Sequence, residues 1–99
     1  MSFMTDDCVF EANAGDQVTG TSFRGTEEVR RGFMKVWQVY PDAQWSNPRH
    51  FISGDRGASE WVFSGHGRDG RPIEVAGCDL FVFRGNKIAL KNSFRKQRT

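Results

Sequence analysis

The stretch EVAGCDLFVFRGNKIALKNSF, residues 74–94, decides the fold. Its two runs of apolar, β-branched and aromatic residues, separated by the turn 84–86, predict antiparallel strands over 72–83 and 87–96. Because side chains alternate between the faces of a strand, Asp79 shares a face with Phe81 and Phe83. A carboxyl group aligned with two aromatic rings is either a hydrogen-bonded or ion-paired structural group or a functional group in an apolar pocket.

Upstream of this stretch, the sequence predicts one amphipathic helix. Thr26 is the expected N-cap, and Pro41 ends the helix. The apolar stripe recurs at the spacing of one helix face and consists of Val29, Phe33, Val36 and Tyr40.

The other segments are predicted to be extended. A helix followed by long antiparallel strands with short turns is an α+β order, and a curved sheet around the helix would enclose a pocket. Asp69-Gly70 is a hairpin signal, and we place that turn over residues 68–71. The remaining extended segments cover residues 8–12, 19–24, 43–51 and 58–66.

The size and composition of the chain limit its organisation and partners. The sequence has 99 residues, which predicts a single domain over residues 1–99. A chain this short buries about 60% of its unfolded surface, so we expect a homodimer. The formal net charge of +2 is too small for a typical nucleic-acid-binding protein. With neither a membrane-spanning run nor a signal peptide, the protein is expected to be cytoplasmic and not membrane-bound.

Nothing in the sequence indicates a cofactor or a metal site. Residues 65–70 match a dinucleotide-binding motif by letter, but a strand follows them where that motif requires a helix. His50 and His66 lack clustered partner ligands, and Cys8 and Cys78 match no metal or redox spacing. We therefore expect two reduced cysteines and no cofactor.

A polar set is predicted to face the same pocket as Asp79. If the face of strand 58–66 that carries Glu60 lies beside the Asp79 face, Glu60, Asp79 and Lys91 come together as candidate catalytic groups. Desolvation favours a protonated Asp79 and a nearby Lys91 favours a carboxylate, so both states stay open, as does a purely structural ion pair. The candidate ligand-binding residues are Phe81, Phe83, Val62, Ser64, Ser93, Trp37 and Tyr40.

Five stretches together resemble the SnoaL-like polyketide cyclase and ketosteroid-isomerase-related branch of the nuclear-transport-factor-2-like superfamily. They are TDDCVFE, FRGTEEVRRGF, YPDAQW, SEWVFSGHGRDGRPIEVAGCDLFVFRGNKI and LKNSFRK, in the order of the family. The resemblance implies a cone-shaped, cystatin-like α+β fold, with a curved mixed or antiparallel sheet around helices and shortened N-terminal helices. It also implies an apolar pocket and a homodimer formed through the sheet.

The same resemblance implies a role for Asp79. Its position matches the acid with which ketosteroid isomerases donate a hydrogen bond to the substrate oxyanion. The position of their catalytic base is Ala12, and their oxyanion tyrosine belongs to an N-terminal helix without a counterpart here. Two hypotheses follow: proton transfer on a small apolar carbonyl compound, as in isomerases or cyclases, or a module that binds a small apolar ligand or dimerises without catalysis.

Overall fold

The computed structural model describes residues 3–97 and contains one helix and six strands within them. The helix, α1, is Gly25–Val39. The strands are β1 (Met4–Glu11), β2 (Ser22–Arg24), β3 (Gln44–Ser53), β4 (Arg56–His66), β5 (Pro72–Arg84) and β6 (Lys87–Arg95).

The six strands form one open sheet in the order β2-β1-β6-β5-β4-β3. The strands β3 to β6 are successive antiparallel neighbours, and β1 lies parallel to β6. The mixed sheet and the single helix confirm the predicted α+β class. No helix within residues 3–97 is both long and apolar enough to cross a membrane.

The β5–β6 hairpin is formed as the opening stretch predicts. Two residues, Gly85 and Asn86, separate the strands, and Gly85 adopts a φ of 62°, which a residue without a Cβ adopts at little cost. Carried on unchanged, this turn would pair Asp79 with Asn92. The register instead shifts by one residue between Val82 and Phe83, which places Asp79 opposite Ser93 and Phe81 opposite Lys91. The side chains of Asp79 and Lys91 therefore share a face.

The helix packs on one face of the sheet, called here the inner face, and divides the core into two clusters. The first contains the buried Ala43, Trp61, Phe63 and Val75, against which Val36 and Tyr40 pack. The second contains the buried Met4, Cys8 and Val29, together with Phe33 and other partly buried rings. All four residues of the predicted helix stripe thus contact the core, and a space is left between the clusters.

Several predicted boundaries are wrong. The helix begins at Gly25 rather than after a Thr26 cap, because Gly25 with a φ of 81° turns the chain directly out of β2. The backbone N–H of Arg24 is instead bound by the Glu28 carboxylate at 3.1 Å. The first strand starts at Met4, four residues earlier than expected.

Candidate functional site

A pocket of about 270 Å³ opens between the two core clusters, under α1. Five of its twelve lining residues are aromatic, and a small set of polar groups lies among them, which is the usual composition of a small-molecule site. Its lining comprises Phe10, Asn13, Gly32, Phe33, Val36, Trp37, Trp45, Trp61, Asp79, Lys91, Ser93 and Arg95.

Asp79 is the one buried charged residue that the structure describes, with 8% of its surface exposed. Strand register places it between Ser59 of β4 and Ser93 of β6. The indole Nε1–H of Trp61 donates to Asp79 Oδ2 at 3.0 Å, and the Ser93 hydroxyl donates to Oδ1 at 2.5 Å. Both carboxyl oxygens are therefore held by donors from the neighbouring strands.

Gly77 allows Trp61 to reach this carboxyl group. The two residues are paired across β4 and β5, and the indole ring lies over the glycine. A Cβ at residue 77 would lie 2.4 Å from the Trp61 ring and 2.5 Å from the carbonyl oxygen of Phe94. A side chain here would displace the ring that donates to Asp79.

Lys91 brings a cation to the same polar group. Its Nζ lies 4.0 Å from Asp79 Oδ2, at the limit of an ion pair. The ammonium group also lies 4.7 Å from the ring centroid of Phe33 and 5.7 Å from that of Phe10. Rings of the helix and of β1 thereby hold the lysine against the pocket, since a cation is attracted to the face of an aromatic ring.

Arg95 is a second cation on the same strand face, four residues further along β6. Its guanidinium carbon lies 4.4 Å from the ring centroid of Phe63 and 5.9 Å from that of Tyr40. Burial lowers the pKa of this guanidinium below its usual value. The pocket thus has two cations and one carboxyl group in its lining.

With this geometry in place, comparison with known proteins defines the family. The family model of the SnoaL-like domain matches residues 1–91. This chain belongs to the SnoaL-like domain family. No curated protein matches the chain significantly.

Solved structures share the fold of this SnoaL-like domain. A Xanthomonas campestris protein of unknown function with a cystatin-like fold is 24% identical, with a TM-score of 0.80 over 97% of this chain and 74% of its own. A Catenulispora acidiphila protein with a ketosteroid-isomerase-like fold, in complex with trimethylamine, is 18% identical, with a TM-score of 0.82 over 94% of this chain and 69% of its own.

A third structure, TerC co-crystallised with polyporic acid, is 16% identical, with a TM-score of 0.80 over 96% of this chain and 75% of its own. These likenesses establish the fold of the SnoaL-like domain and confirm the predicted nuclear-transport-factor-2-like and cystatin-like architecture.

The predicted position of Glu60 is wrong. The register of β4 and β5 places Ser59 opposite Asp79 and Glu60 opposite Cys78, so Glu60 is exposed on the outer face of the SnoaL-like domain. The cause is the length of the turn. An even, four-residue turn over 68–71 would pair Glu60 with Asp79, whereas the hydrogen bond from Gly67 N–H to the Arg71 carbonyl at 2.9 Å closes a loop of three residues. The one-residue change reverses every face of β4.

The same reversal moves two predicted ligand-binding residues. Val62 and Ser64 lie on the outer face with Glu60, and neither lines the pocket under α1. The inner face of β4 carries Trp61 and Phe63 instead, neither of which was predicted as a site residue. Trp61 lines the pocket, and Phe63 packs in the core cluster beside it. The heavier apolar character of the Trp61 and Phe63 face is the signal that favours it as the inner face.

The remaining predicted ligand-binding residues divide between the pocket and its surroundings. Ser93 and Trp37 line the pocket, and the Trp37 ring meets Trp45 edge-on at 5.5 Å. Tyr40 lies outside the lining and packs edge-on against Phe63. Phe81 and Phe83 stack on each other at 6.0 Å, beyond the pocket along β5.

Both histidines lie outside the pocket lining. His66 is hydrogen-bonded through Nδ1 to Asp42 Oδ2 at 2.7 Å at the surface. This bond, together with one from the His66 backbone N–H to Asp42 Oδ1, holds the pKa of Asp42 below its usual value. His50 is hydrogen-bonded to Ser59 at 2.6 Å, next to Asp79 in the strand pairing.

Metal-ligating residues are not clustered in the described part of the chain, since no three of its His, Cys, Asp or Glu side chains could hold one ion. Cys8 and Cys78 are free thiols. Burial raises the pKa of both thiols, which makes either a poor nucleophile at neutral pH.

Proposed function

We propose that this SnoaL-like domain binds a small apolar carbonyl compound in the pocket under α1 and transfers a proton on it. The observation that carries the proposal is the placement of Asp79, a buried carboxyl group at the base of a ring-lined cavity with Lys91 beside it. A buried carboxyl group in a cleft with a cation beside it is a common arrangement for a catalytic acid or base. Two structural neighbours, crystallised with trimethylamine and with polyporic acid, support small-molecule binding as a use of this fold.

The roles follow from which groups reach the pocket. Asp79 is the one carboxylate in the lining, so it acts as the base that removes a proton from the carbon next to the carbonyl group. The electron pair of that C–H bond moves to the carbonyl oxygen and forms an enolate. Lys91, 4.0 Å from Asp79, stabilises the negative oxygen, and the proton returns from Asp79 to the same or a conjugated carbon.

Turnover by an Asp79→Asn variant tests these roles. The substrates are a panel of enolisable ketones in deuterated water, and the measurement is exchange of the α-proton by NMR. Wild-type protein is expected to accelerate exchange for at least one ketone, and the variant is expected to lose about 100-fold or more. Glu60→Gln, on the outer face, is the matched control and keeps wild-type activity. Unchanged exchange in Asp79→Asn removes this carboxyl group from the mechanism.

A non-catalytic binding module is the second candidate, and one observation favours it. The pocket offers a single carboxyl group, whose oxygens already accept hydrogen bonds from Trp61 and Ser93. Such a group can serve structure alone. Stabilisation against heat by apolar carbonyl ligands, with no exchange for any ketone in the panel, would select binding over catalysis.

We also propose that the domain forms a homodimer through the outer face of the sheet. Large apolar side chains are exposed there, including Phe51 (62%), Leu80 (46%) and Phe94 (48%). Phe51 and Leu80 border an apolar hollow of about 290 Å³. Arg49 and Glu60, which pair across β3 and β4, supply both signs of charge, so a two-fold copy of the same face is complementary to it.

A further inference from the structure

The lining of the pocket has an excess of positive charge. Lys91 and Arg95 are cations, Asp79 is the one acidic group among the lining residues, and the other members are neutral. The formal charge of the lining is therefore positive when Asp79 is a carboxylate. A cavity with apolar walls concentrates such a field and favours an anionic occupant.

The contacts of Asp79 do not include Arg95. Trp61, Ser93 and Lys91 surround the carboxyl group, at 3.0, 2.5 and 4.0 Å. Within residues 3–97, no carboxylate oxygen lies within ion-pairing distance of the Arg95 guanidinium. A half-buried cation without a counter-ion among the described residues is costly, which favours a bound anion as its partner.

The surroundings of Arg95 fix it for such a partner. Phe63, which is fully buried, lies 4.4 Å from the guanidinium carbon, and Tyr40 adds a second ring at 5.9 Å. Contact with ring faces restricts the side chain, and no carboxylate of residues 3–97 occupies its N–H groups. A planar guanidinium held in this way suits a carboxylate, which it can bind through two parallel hydrogen bonds.

We propose that the pocket takes an aromatic or similarly apolar acid whose carboxylate is bound by Arg95. The reacting carbon of this ligand lies at its other end, beside Asp79 and Lys91; this placement rests on the function proposed above. Binding of the carboxylate stands without it, because Arg95 is four residues from Lys91 along β6. Four residues span about 13 Å of strand, so the two side chains can contact opposite ends of one ligand.

The volume of the pocket limits the ligand further. About 270 Å³ is at the lower end of small-molecule sites, which suits one or two rings rather than a steroid-sized skeleton. The surrounding rings of Phe33, Trp45 and Trp61 provide apolar faces on which a flat molecule can stack. The ligand class is therefore a flat one- or two-ring carboxylic acid, with a ketone in the natural compound.

The experiment compares a matched pair of probes by isothermal titration calorimetry. 2-Naphthoate supplies the rings and the carboxylate, and 2-naphthalenemethanol supplies the same rings with a neutral group. We expect wild-type protein to bind the acid about tenfold or more tightly than the alcohol, since a charge-assisted hydrogen bond contributes about that factor. Arg95→Gln is expected to lose this preference and to bind both probes similarly, whereas Arg95→Lys keeps part of it.

Arg71→Gln is the control for non-specific charge, because Arg71 is a surface arginine that lies outside this lining. It is expected to keep the full preference for the acid. Equal binding of the two probes by wild-type protein overturns the proposal, as does a preference that survives in Arg95→Gln or the absence of binding by either probe. Thermal melting of Arg95→Gln checks its fold, and Arg95→Lys provides a second variant if it unfolds.

The result of this binding experiment does not depend on the proposed catalysis. Neither probe has an acidic proton next to a ketone, so their binding does not depend on Asp79 acting as a base. If Asp79→Asn leaves ketone exchange unchanged while the acid still binds through Arg95, the catalytic proposal fails and the anion site stands. If exchange depends on Asp79 and the probes bind equally, the reverse holds.

Discussion

The hydrogen bond from Trp61 to Asp79 connects the core to the candidate site. The indole belongs to the buried cluster under α1, and its N–H donates to a carboxyl oxygen of Asp79, a residue with 8% of its surface exposed. A buried acceptor that loses a donor is left partly unsatisfied, which costs more than the average hydrogen bond contributes. The bond therefore affects both the stability of the fold and the position of the carboxyl group.

Trp61→Phe tests that bond. We expect the variant to lose about 2 kcal/mol of unfolding free energy, from the missing donor and the smaller ring together. The measurement is urea unfolding followed by circular dichroism. Trp45→Phe is the matched control, because Trp45 lines the same pocket but is 42% exposed, and it is expected to lose much less. Equal losses in the two variants would show that ring volume alone is responsible.

The surface pair of Asp42 and His66 predicts a pH effect. The hydrogen bonds from His66 place the folded-state pKa of Asp42 below its unfolded value. The pair therefore stabilises the fold above the unfolded pKa, and this contribution is lost as the pH falls through the lower, folded value. The pKa of Asp42, measured by NMR titration of its carboxyl carbon, is expected to be higher in His66→Ala than in wild-type protein. It is not expected to return fully to its usual value, because the backbone N–H of residue 66 still donates at 2.7 Å.

An unchanged Asp42 titration in His66→Ala would contradict the assignment of the shift to the imidazole. His50→Ala is the matched control, since that imidazole is bound to Ser59 and not to Asp42. It is expected to leave the titration of Asp42 where it is in wild-type protein.

At the scale of elements, Gly77 leaves room on strand β5 for the Trp61 ring of β4. Gly77→Ala places a Cβ 2.4 Å from the Trp61 ring, so the ring has to move away from β5. We expect a loss of about 1–3 kcal/mol in unfolding free energy, together with reduced exchange activity as Asp79 loses its donor. Ala76→Val, at an exposed outer-face position of the same strand, is the control and is expected to be nearly neutral. A neutral Gly77→Ala would show that the ring is free to shift.

The elements differ in how far the sequence could predict them. The helix stripe and the β5–β6 turn carry local signals, namely apolar spacing and a glycine with positive φ, and both predictions are confirmed. Alternation divides β4 into two faces but does not say which face meets Asp79. That choice depends on whether the loop before Pro72 contains an odd or even number of residues, a feature that Asp69-Gly70 leaves open.

The predicted site is correspondingly divided. Asp79, Lys91 and Ser93 come together because the register of β5 and β6 shifts by one residue next to their short turn. Glu60 is on the other side of the sheet because the neighbouring turn is one residue shorter than predicted. Arg95 could have been placed from its spacing to Lys91, but its contacts with Phe63 and Tyr40 depend on the path of the helix across the sheet.

At the scale of the whole molecule, the two faces of the sheet differ in what covers them. The inner face is covered by α1 and encloses the pocket, whereas the outer face exposes apolar side chains to solvent. An isolated apolar patch of this kind is typical of an interaction surface. The homodimer proposed above would cover it, because a second copy of the chain is complementary to the apolar hollow and to the mixed charges of Arg49 and Glu60.

Leu80→Glu tests the dimer. Leu80 borders the apolar hollow on the outer face and is 46% exposed, so a carboxylate there would be buried without a partner in the proposed interface. We expect sedimentation velocity to give twice the 11.3 kDa chain mass for wild-type protein and a single chain mass for the variant. Met34→Glu, a change of the same kind at a 55% exposed position of α1, is expected to stay dimeric. A monomeric wild-type protein at 100 μM, or a variant that still dimerises, would show that the outer face is not the interface, and the apolar hollow would then need another occupant.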